Sequence, residues 1–318
     1  MILFYTEGGH YLGLGNIFRS LSLARALRSG VCPDVRFLTS SEPYACDIIR
    51  NAGFEVTCTP DLLPAIDSLA PHTLVIDYLG IGEDFVQSAR AGGRTKVVLI
   101  GNDSSANHSA DIVVNAIIGT GFENRCFRDS YGTLNLWGPK YLVLREEFEA
   151  IRDSYSYKGH ISTVVMLFGG SDQADFSSRV LSRFSGKGYR ILLILGAGYR
   201  NDDELSAVLA SFEGEVEVLH SISNVSQIYK QADFLLTSPG TALFEGLCPG
   251  IPAISYFQNE SQKAVFGPFM TTAEFTDQTD PVADMERIYA DYEGFRAQLR
   301  RFAVGTGRNE IIENILAL

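Results

Sequence analysis

The chain has 318 residues, 46% of them hydrophobic, which is enough for two domains with separate cores. Its 26 basic and 38 acidic side chains give a net charge of −12, which repels phosphate backbones and anionic lipid heads, so nucleic acid is not an expected partner. The five cysteines (Cys32, Cys46, Cys58, Cys126, Cys248) form no C-x-x-C pair and read as reduced thiols of a cytoplasmic protein, against a disulfide framework or a zinc site.

The opening MILFYTEGG lacks a basic region and a cleavage site, so it is expected to be a first strand and not a signal peptide. No apolar run approaches the ~20 residues of a membrane span. From there, short β-branched runs alternate with stretches of helical period, the pattern of βα units on parallel sheets. In the first half the strands are ILFYT (2–6), VRFLT (35–39), FEVT (54–57), TLVID (73–77), KVVLI (96–100) and DIVVN (111–115), with helices at 17–28, 43–52 and 83–91. RDSYSYKGH (152–160), polar and without period, is the expected linker. The second half repeats the scheme with STVVMLF (162–168), YRILLIL (189–195), EVEVL (215–219), DFLLT (233–237) and PAISYF (252–257). A helical stretch follows, with Asp280 as its N-cap and Pro281 at its first position. The expectation is an N-terminal Rossmann-like domain over 1–153 and a C-terminal one over 158–318 that includes the last helices.

Both halves run from an apolar strand into a glycine turn. GLGNIFRS (13–20) opens a helix, where unpaired N–H groups and the helix dipole suit an anion. Phe18 stands where a dinucleotide fingerprint needs its third glycine, and no acidic residue ends the second strand at Thr39, which argues against NAD. SGKGYR (185–190) lacks the spacing of a P-loop. In TSPGTALFEGLCPGIPAI (237–254), Ser238, Gly240 and Thr241 stand at a helix start and suit a pyrophosphate, with Glu245 one turn inside to accept from a ribose diol. The same residues also suit plain structure, Ser238 as an N-cap and Glu245 as a carboxylate favoured by the dipole.

GLGNIFRSLSLARAL, DY (77–78), GPKYLVLREEF (138–148), FGGSD (168–172) and SPGTALFEGLCPGIPAI together make the chain resemble the UDP-sugar hydrolases of pseudaminic acid biosynthesis and the related spore-coat polysaccharide proteins. More distantly it is similar to family-28 glycosyltransferases typified by the lipid II-forming N-acetylglucosaminyltransferase. The resemblance implies an α/β GT-B fold: two Rossmann-like, doubly wound parallel-sheet domains facing across a cleft, with UDP held mainly by the second. It places Gly169, Gly170 and Ser171 on the nucleotide side, Ile222 against the base, Ser238, Gly240 and Thr241 on the diphosphate, Glu245 on the ribose, and Gln262 near the sugar. Gly13, Gly15 and Arg19 of the opening loop are expected on the sugar side, Arg19 either neutralising phosphate or standing as an ordinary surface arginine.

One position departs from the pattern. The hydrolases have a histidine after the second glycine, taken to be the base that activates water; here it is Asn16, whose amide is not basic near neutral pH. His10 on the same loop and Asp77 at a strand end are the candidate replacements. Glu7, the first polar residue after its strand, reads more readily as solvated, and Tyr78 either orients a sugar or packs. His72, His108, His160 and His220 are too scattered for a metal site, and no cofactor is expected. The leading expectation is cleavage of UDP from a UDP-amino- or deoxy-sugar by inverting attack of water. Glycosyl transfer to a glycan or small-molecule acceptor is the alternative, and nucleotide-sugar binding without turnover the third.

Overall fold

A computed structural model describes residues 1–9, 14–30, 34–40, 43–220, 222 and 224–318. They form two compact units, one of Met1–Arg145 with Phe302–Leu318 and one of Glu146–Arg301. The first unit is built on eight strands: β1 (Ile2–Thr6), β2 (Val35–Thr39), β3 (Glu55–Cys58), β4 (Thr73–Asp77), β5 (Lys96–Ile100), β6 (Ile112–Asn115), β7 (Arg125–Arg128) and β8 (Leu134–Trp137). Their order is β3-β2-β1-β4-β5-β6-β8-β7, parallel throughout except for the antiparallel β7–β8 edge.

Burial on both faces explains the unbroken apolar strands. Side chains alternate across a strand, so Ile2 and Phe4 join Val75, Val98 and Val114 in one core, while Leu3 and Tyr5 join Leu74, Ile76, Val97 and Leu99 in another. The first core takes Ile17, Leu21, Ala24 and Leu27 from the helix Gly15–Gly30, and Ile311 and Ile315 from the final helix Arg308–Leu316. The second takes Ile66 from Leu62–Leu69 and Val86 and Ala89 from Glu83–Ala89.

The second unit carries six parallel strands, β9 (Thr163–Leu167), β10 (Arg190–Leu195), β11 (Glu215–His220), β12 (Phe234–Thr237), β13 (Ala253–Tyr256) and β14 (Thr272–Ala273), in the order β11-β10-β9-β12-β13-β14. In each sheet the order reverses beside the first strand, between β1 and β4 and between β9 and β12. Such reversals open a crevice at the carboxyl ends of the strands, where ligands of open α/β sheets bind.

Most expected elements form with small shifts of boundary. Asp280 caps the helix Pro281–Ala290, its Oδ1 accepting from the Val282 and Ala283 amides at 3.1 Å. β7, β8, β14 and the helix Leu62–Leu69 lie in stretches without an expected element; β7 is largely exposed and so leaves no apolar run to read.

Three expectations are corrected. The segment 152–160 belongs to the second unit: the Tyr155 hydroxyl donates to the Asp233 carbonyl at 2.9 Å, Lys158 pairs with the buried Asp233 carboxylate at 2.6 Å, and Tyr157 stacks on Tyr292 at 4.9 Å. Its polar look conceals tyrosines that pack and a lysine that neutralises a buried charge. The last helix belongs with the first unit, because Ile311 and Ile315 fill the core under β1 and the Lys140 ammonium and Tyr141 hydroxyl both donate to the Glu310 carboxylate. Finally, Cys46 and Cys58 are not free thiols. Helix Pro43–Asn51 packs on β3 and brings the two Cα atoms to 6.6 Å, with the sulfurs bonded; Cys126 and Cys248 are free. Among the described residues no helix is long and apolar enough to cross a membrane.

Trp137, the single tryptophan, lies in the first unit and reports its unfolding. Ile311→Ala, at a fully buried position of the returning helix, is expected to destabilise that unit by about 2–5 kcal/mol. Urea titration followed by Trp137 fluorescence measures it; an unchanged midpoint would place the helix off this core.

Candidate functional site

The strand-end cluster of the first unit surrounds the reversal between β1 and β4. Thr6 ends β1 opposite Asp77, which ends β4. Asp77 is fully buried, and the helix after β1 supplies its partners: Arg19 Nε donates at 2.8 Å to one carboxylate oxygen, Arg19 Nη2 donates to the other, and Ser20 Oγ donates at 3.1 Å. This is the bidentate geometry that suits a guanidinium to a carboxylate. Burial works against the Arg19 charge, but Asp77 outweighs it and holds the guanidinium above its ordinary value. Asn16 sits one turn earlier on the same helix. Its Oδ1 accepts from Arg19 Nη2 at 2.9 Å, and its Nδ2 faces the Glu7 carbonyl at 3.5 Å.

Glu7 follows β1 and is 4% exposed. The end of β2 holds its carboxylate: the Ser40 amide donates to Oε1 at 2.8 Å, the Ser40 hydroxyl donates to the same oxygen, and Thr39 Oγ1 donates to Oε2 at 3.2 Å. The expectation of a solvated Glu7 is therefore corrected; β2 closes over it, a partner no local sequence signal announces. Tyr78 packs, half-buried, against the second core with its ring 6.1 Å from Tyr5. Gly15 borders open space. His10 and Gly13 lie outside the described residues.

In the second unit, three loops meet around β9 and β12. Gly169 turns at φ +84°, and the Gly170 carbonyl accepts from the Gly198 amide at 2.8 Å. A Cβ on Gly196 would collide with that carbonyl, which explains the glycine after β10. Ser171 is exposed, while the next residue, Asp172, is buried and accepts from the Phe176 and Ser177 amides at 2.9 and 2.7 Å. Burial pushes the Asp172 carboxyl up despite those two donors. Beyond β12, Ser238 is buried, Gly240 precedes the helix Thr241–Leu247, Thr241 is exposed and Glu245 is 4% exposed within that helix. Ile222, half-buried, follows β11.

Gln258, at the end of β13, joins these loops and was not singled out from sequence. Its Nε2 donates to the Phe168 carbonyl at 2.6 Å and to Ser238 Oγ at 2.8 Å, bridging the FGGSD turn to the SPGT loop. Gln262, expected near a sugar, has its amide in the same web: Oε1 accepts from the Gln258 amide at 2.8 Å and Nε2 donates to the Pro239 carbonyl at 3.2 Å. The i, i+4 spacing of the two glutamines in FQNESQ was the available signal. Each cluster is thus assembled within its own unit, at the reversal of its own sheet. Among the described residues no group of three or more His, Cys, Asp or Glu side chains is placed to hold a metal.

No protein-family model matches the chain. It is 32% identical over 325 residues to the uncharacterized protein MJ1062 of Methanocaldococcus jannaschii, an alignment covering 99% of this chain and 66% of that protein, so the chain spans less than two thirds of that relative's length. It is 24% identical over 287 residues to the spore coat polysaccharide biosynthesis protein SpsG of Bacillus subtilis, covering 86% of this chain and 80% of SpsG. Among solved structures, Acinetobacter baumannii MurG superposes with a TM-score of 0.65 at 12% identity over 100% of this chain and 99% of that one. Anabaena HepE in complex with UDP-glucose superposes with a TM-score of 0.60 at 13% identity, again over 100% and 99%. A likeness that runs the length of both units defines the class: this is a protein of the GT-B fold.

The Arg19–Asp77 pair ties the first helix to β4, and its removal is measurable. Arg19→Met or Asp77→Asn alone, each leaving one charge without its partner, is expected to cost about 3 kcal/mol, and the double variant less than the two summed. Urea titration on Trp137 fluorescence gives the coupling; simple additivity would show that the two groups do not interact.

Proposed function

We propose that the protein transfers a glycosyl group from a UDP-sugar to an acceptor hydroxyl in the synthesis of a surface glycan. The name of SpsG, a spore coat polysaccharide biosynthesis protein, supports the setting, and UDP-glucose bound to HepE supports the donor class. In this reading the loops of the second unit hold the donor: Gly169, Gly170 and Ser171 beside the nucleotide, Ile222 at the base, Ser238, Gly240 and Thr241 at the diphosphate, and Glu245 at the ribose. Backbone N–H groups at the start of Thr241–Leu247 face the β-phosphate as its bond to the sugar breaks and negative charge grows there. Gln258 and Gln262 tie the two loops together. On the first unit, Asp77 orients Arg19 beside Asn16.

The observation that carries transfer over hydrolysis is Asn16. Its amide is held by Arg19 on one side and faces the Glu7 carbonyl on the other, so the position filled by histidine in the resembled hydrolases here offers hydrogen bonds without basicity. An attacking hydroxyl held by its own binding energy needs less from that position than a free water does.

Titration calorimetry with UDP tests the donor site. Binding is expected in the wild type, and Ser238→Ala is expected to weaken it by about 1 kcal/mol, roughly fivefold in Kd; indifference of the wild type to UDP would end the reading. Mass spectrometry with a panel of UDP-sugars separates the two activities. UDP released only when acceptor extract is present supports transfer, whereas UDP and free sugar released without it would return the protein to the hydrolases. An Asn16→His variant is expected to gain release without acceptor.

A further inference from the structure

Transfer to a hydroxyl requires a proton acceptor, and the polar groups at the strand ends of the first unit are a selective set. Asn16 is not basic. Asp77 spends both oxygens on a bidentate guanidinium and a serine hydroxyl, which leaves it an orienting anion. The third polar group at the same strand ends is Glu7, buried after β1 and joined by hydrogen bonds to Ser40, which is exposed at the end of β2. The Ser40 hydroxyl therefore has one side toward solvent and the other on a buried carboxylate. We propose that Ser40 and Glu7 form the proton relay for glycosyl transfer, Ser40 touching the acceptor and Glu7 acting through it.

The step balances without a co-reactant. The acceptor O–H bond breaks and its proton passes to Ser40 Oγ as the Ser40 proton passes to the Glu7 carboxylate. The acceptor oxygen forms its bond to the anomeric carbon, whose bond to the β-phosphate oxygen breaks, and the electron pair leaves with UDP. The Glu7 side chain is held in place for this by the Ser40 amide and by the Thr39 and Ser40 hydroxyls. Among the described residues, the titratable and charged groups near it include Tyr5 on its own strand, which hydrogen-bonds to it, Tyr78 after β4 and, past Asn16, the Arg19–Asp77 pair. Burial, followed by the Glu7 charge, raises the Tyr5 phenol, so Tyr5 stays a neutral neighbour across the working range.

This inference rests on the transfer reading, and its test keeps the two apart. UDP affinity is measured by calorimetry and turnover by UDP release with acceptor extract, for the wild type and for Glu7→Gln, Ser40→Ala, Ser40→Thr and His10→Ala. The relay predicts a fall in kcat of about a hundredfold to ten-thousandfold in Glu7→Gln and Ser40→Ala with KM and UDP affinity near the wild type. It further predicts recovery of most activity in Ser40→Thr, which keeps a hydroxyl, and little change in His10→Ala. Ser40 is exposed, so Ser40→Ala stands as a second probe should Glu7→Gln fold poorly. A wild type that does not bind UDP sinks the transfer reading. A wild type that binds UDP without turning over likewise sinks the transfer reading, whereas one that binds and turns over while both variants keep its rate sinks the relay alone, as does loss of activity in His10→Ala only.

Discussion

Burial of both faces of a parallel sheet is the constraint from which the rest follows. Strands such as Ile2–Thr6 and Thr73–Asp77 bury every side chain, and their Thr and Asp residues stand at the ends. Where the strand order reverses, polar residues collect at those ends: Thr6, Glu7 and Asp77 in one unit, Thr237 and Ser238 in the other. Arg19 reaching across to Asp77 is the direct outcome. The helix that follows β1 must pack on the face shared with β4, and its first turn then hangs over the only carboxylate that β4 presents.

Much of this was legible in the sequence. Double-sided burial writes unbroken β-branched runs, so β1, β4, β9 and β12 could be placed within a residue or two, and with them the glycine turns that follow. The α/β class was legible for the same reason and the GT-B architecture through the resemblance carried by the quoted motifs, and the SPGT and FGGSD loops lie at the strand ends expected of them. What escaped reading was long-range. Glu7 looks solvated until Ser40, 33 residues later, is laid beside it by the β1–β2 pairing. Cys46 and Cys58 read as unrelated thiols because only packing of a helix on an edge strand brings them together. Residues 152–160 read as a tether because tyrosines count as polar punctuation in sequence, whereas in the fold the Tyr157 ring stacks on Tyr292 and the Tyr155 hydroxyl donates to the Asp233 carbonyl.

The two amide side chains of the second unit show how much a site depends on groups that do no chemistry. Gln258 and Gln262 use both ends of their amides on neighbouring loops, so the distance between the Gly169 turn and Ser238 is set by hydrogen bonds and not by the strands alone. Asn16 has the same role in the first unit, linking Arg19 to the backbone at Glu7. Amides suit this work because each offers a donor and an acceptor at fixed spacing and carries no charge to bury.

The return of the last helix to the first sheet makes that unit discontinuous in the gene. A fragment ending at Arg145 would leave the face holding Phe4 and Leu136 stripped of Ile311 and Ile315, with an oily surface open to water. Exchanging the second unit between related proteins by a single recombination joint would therefore leave a mismatched cover on the first. An intact swap needs two joints, near Arg145 and near Phe302, so shuffling of this architecture is constrained to insertions at a fixed pair of seams.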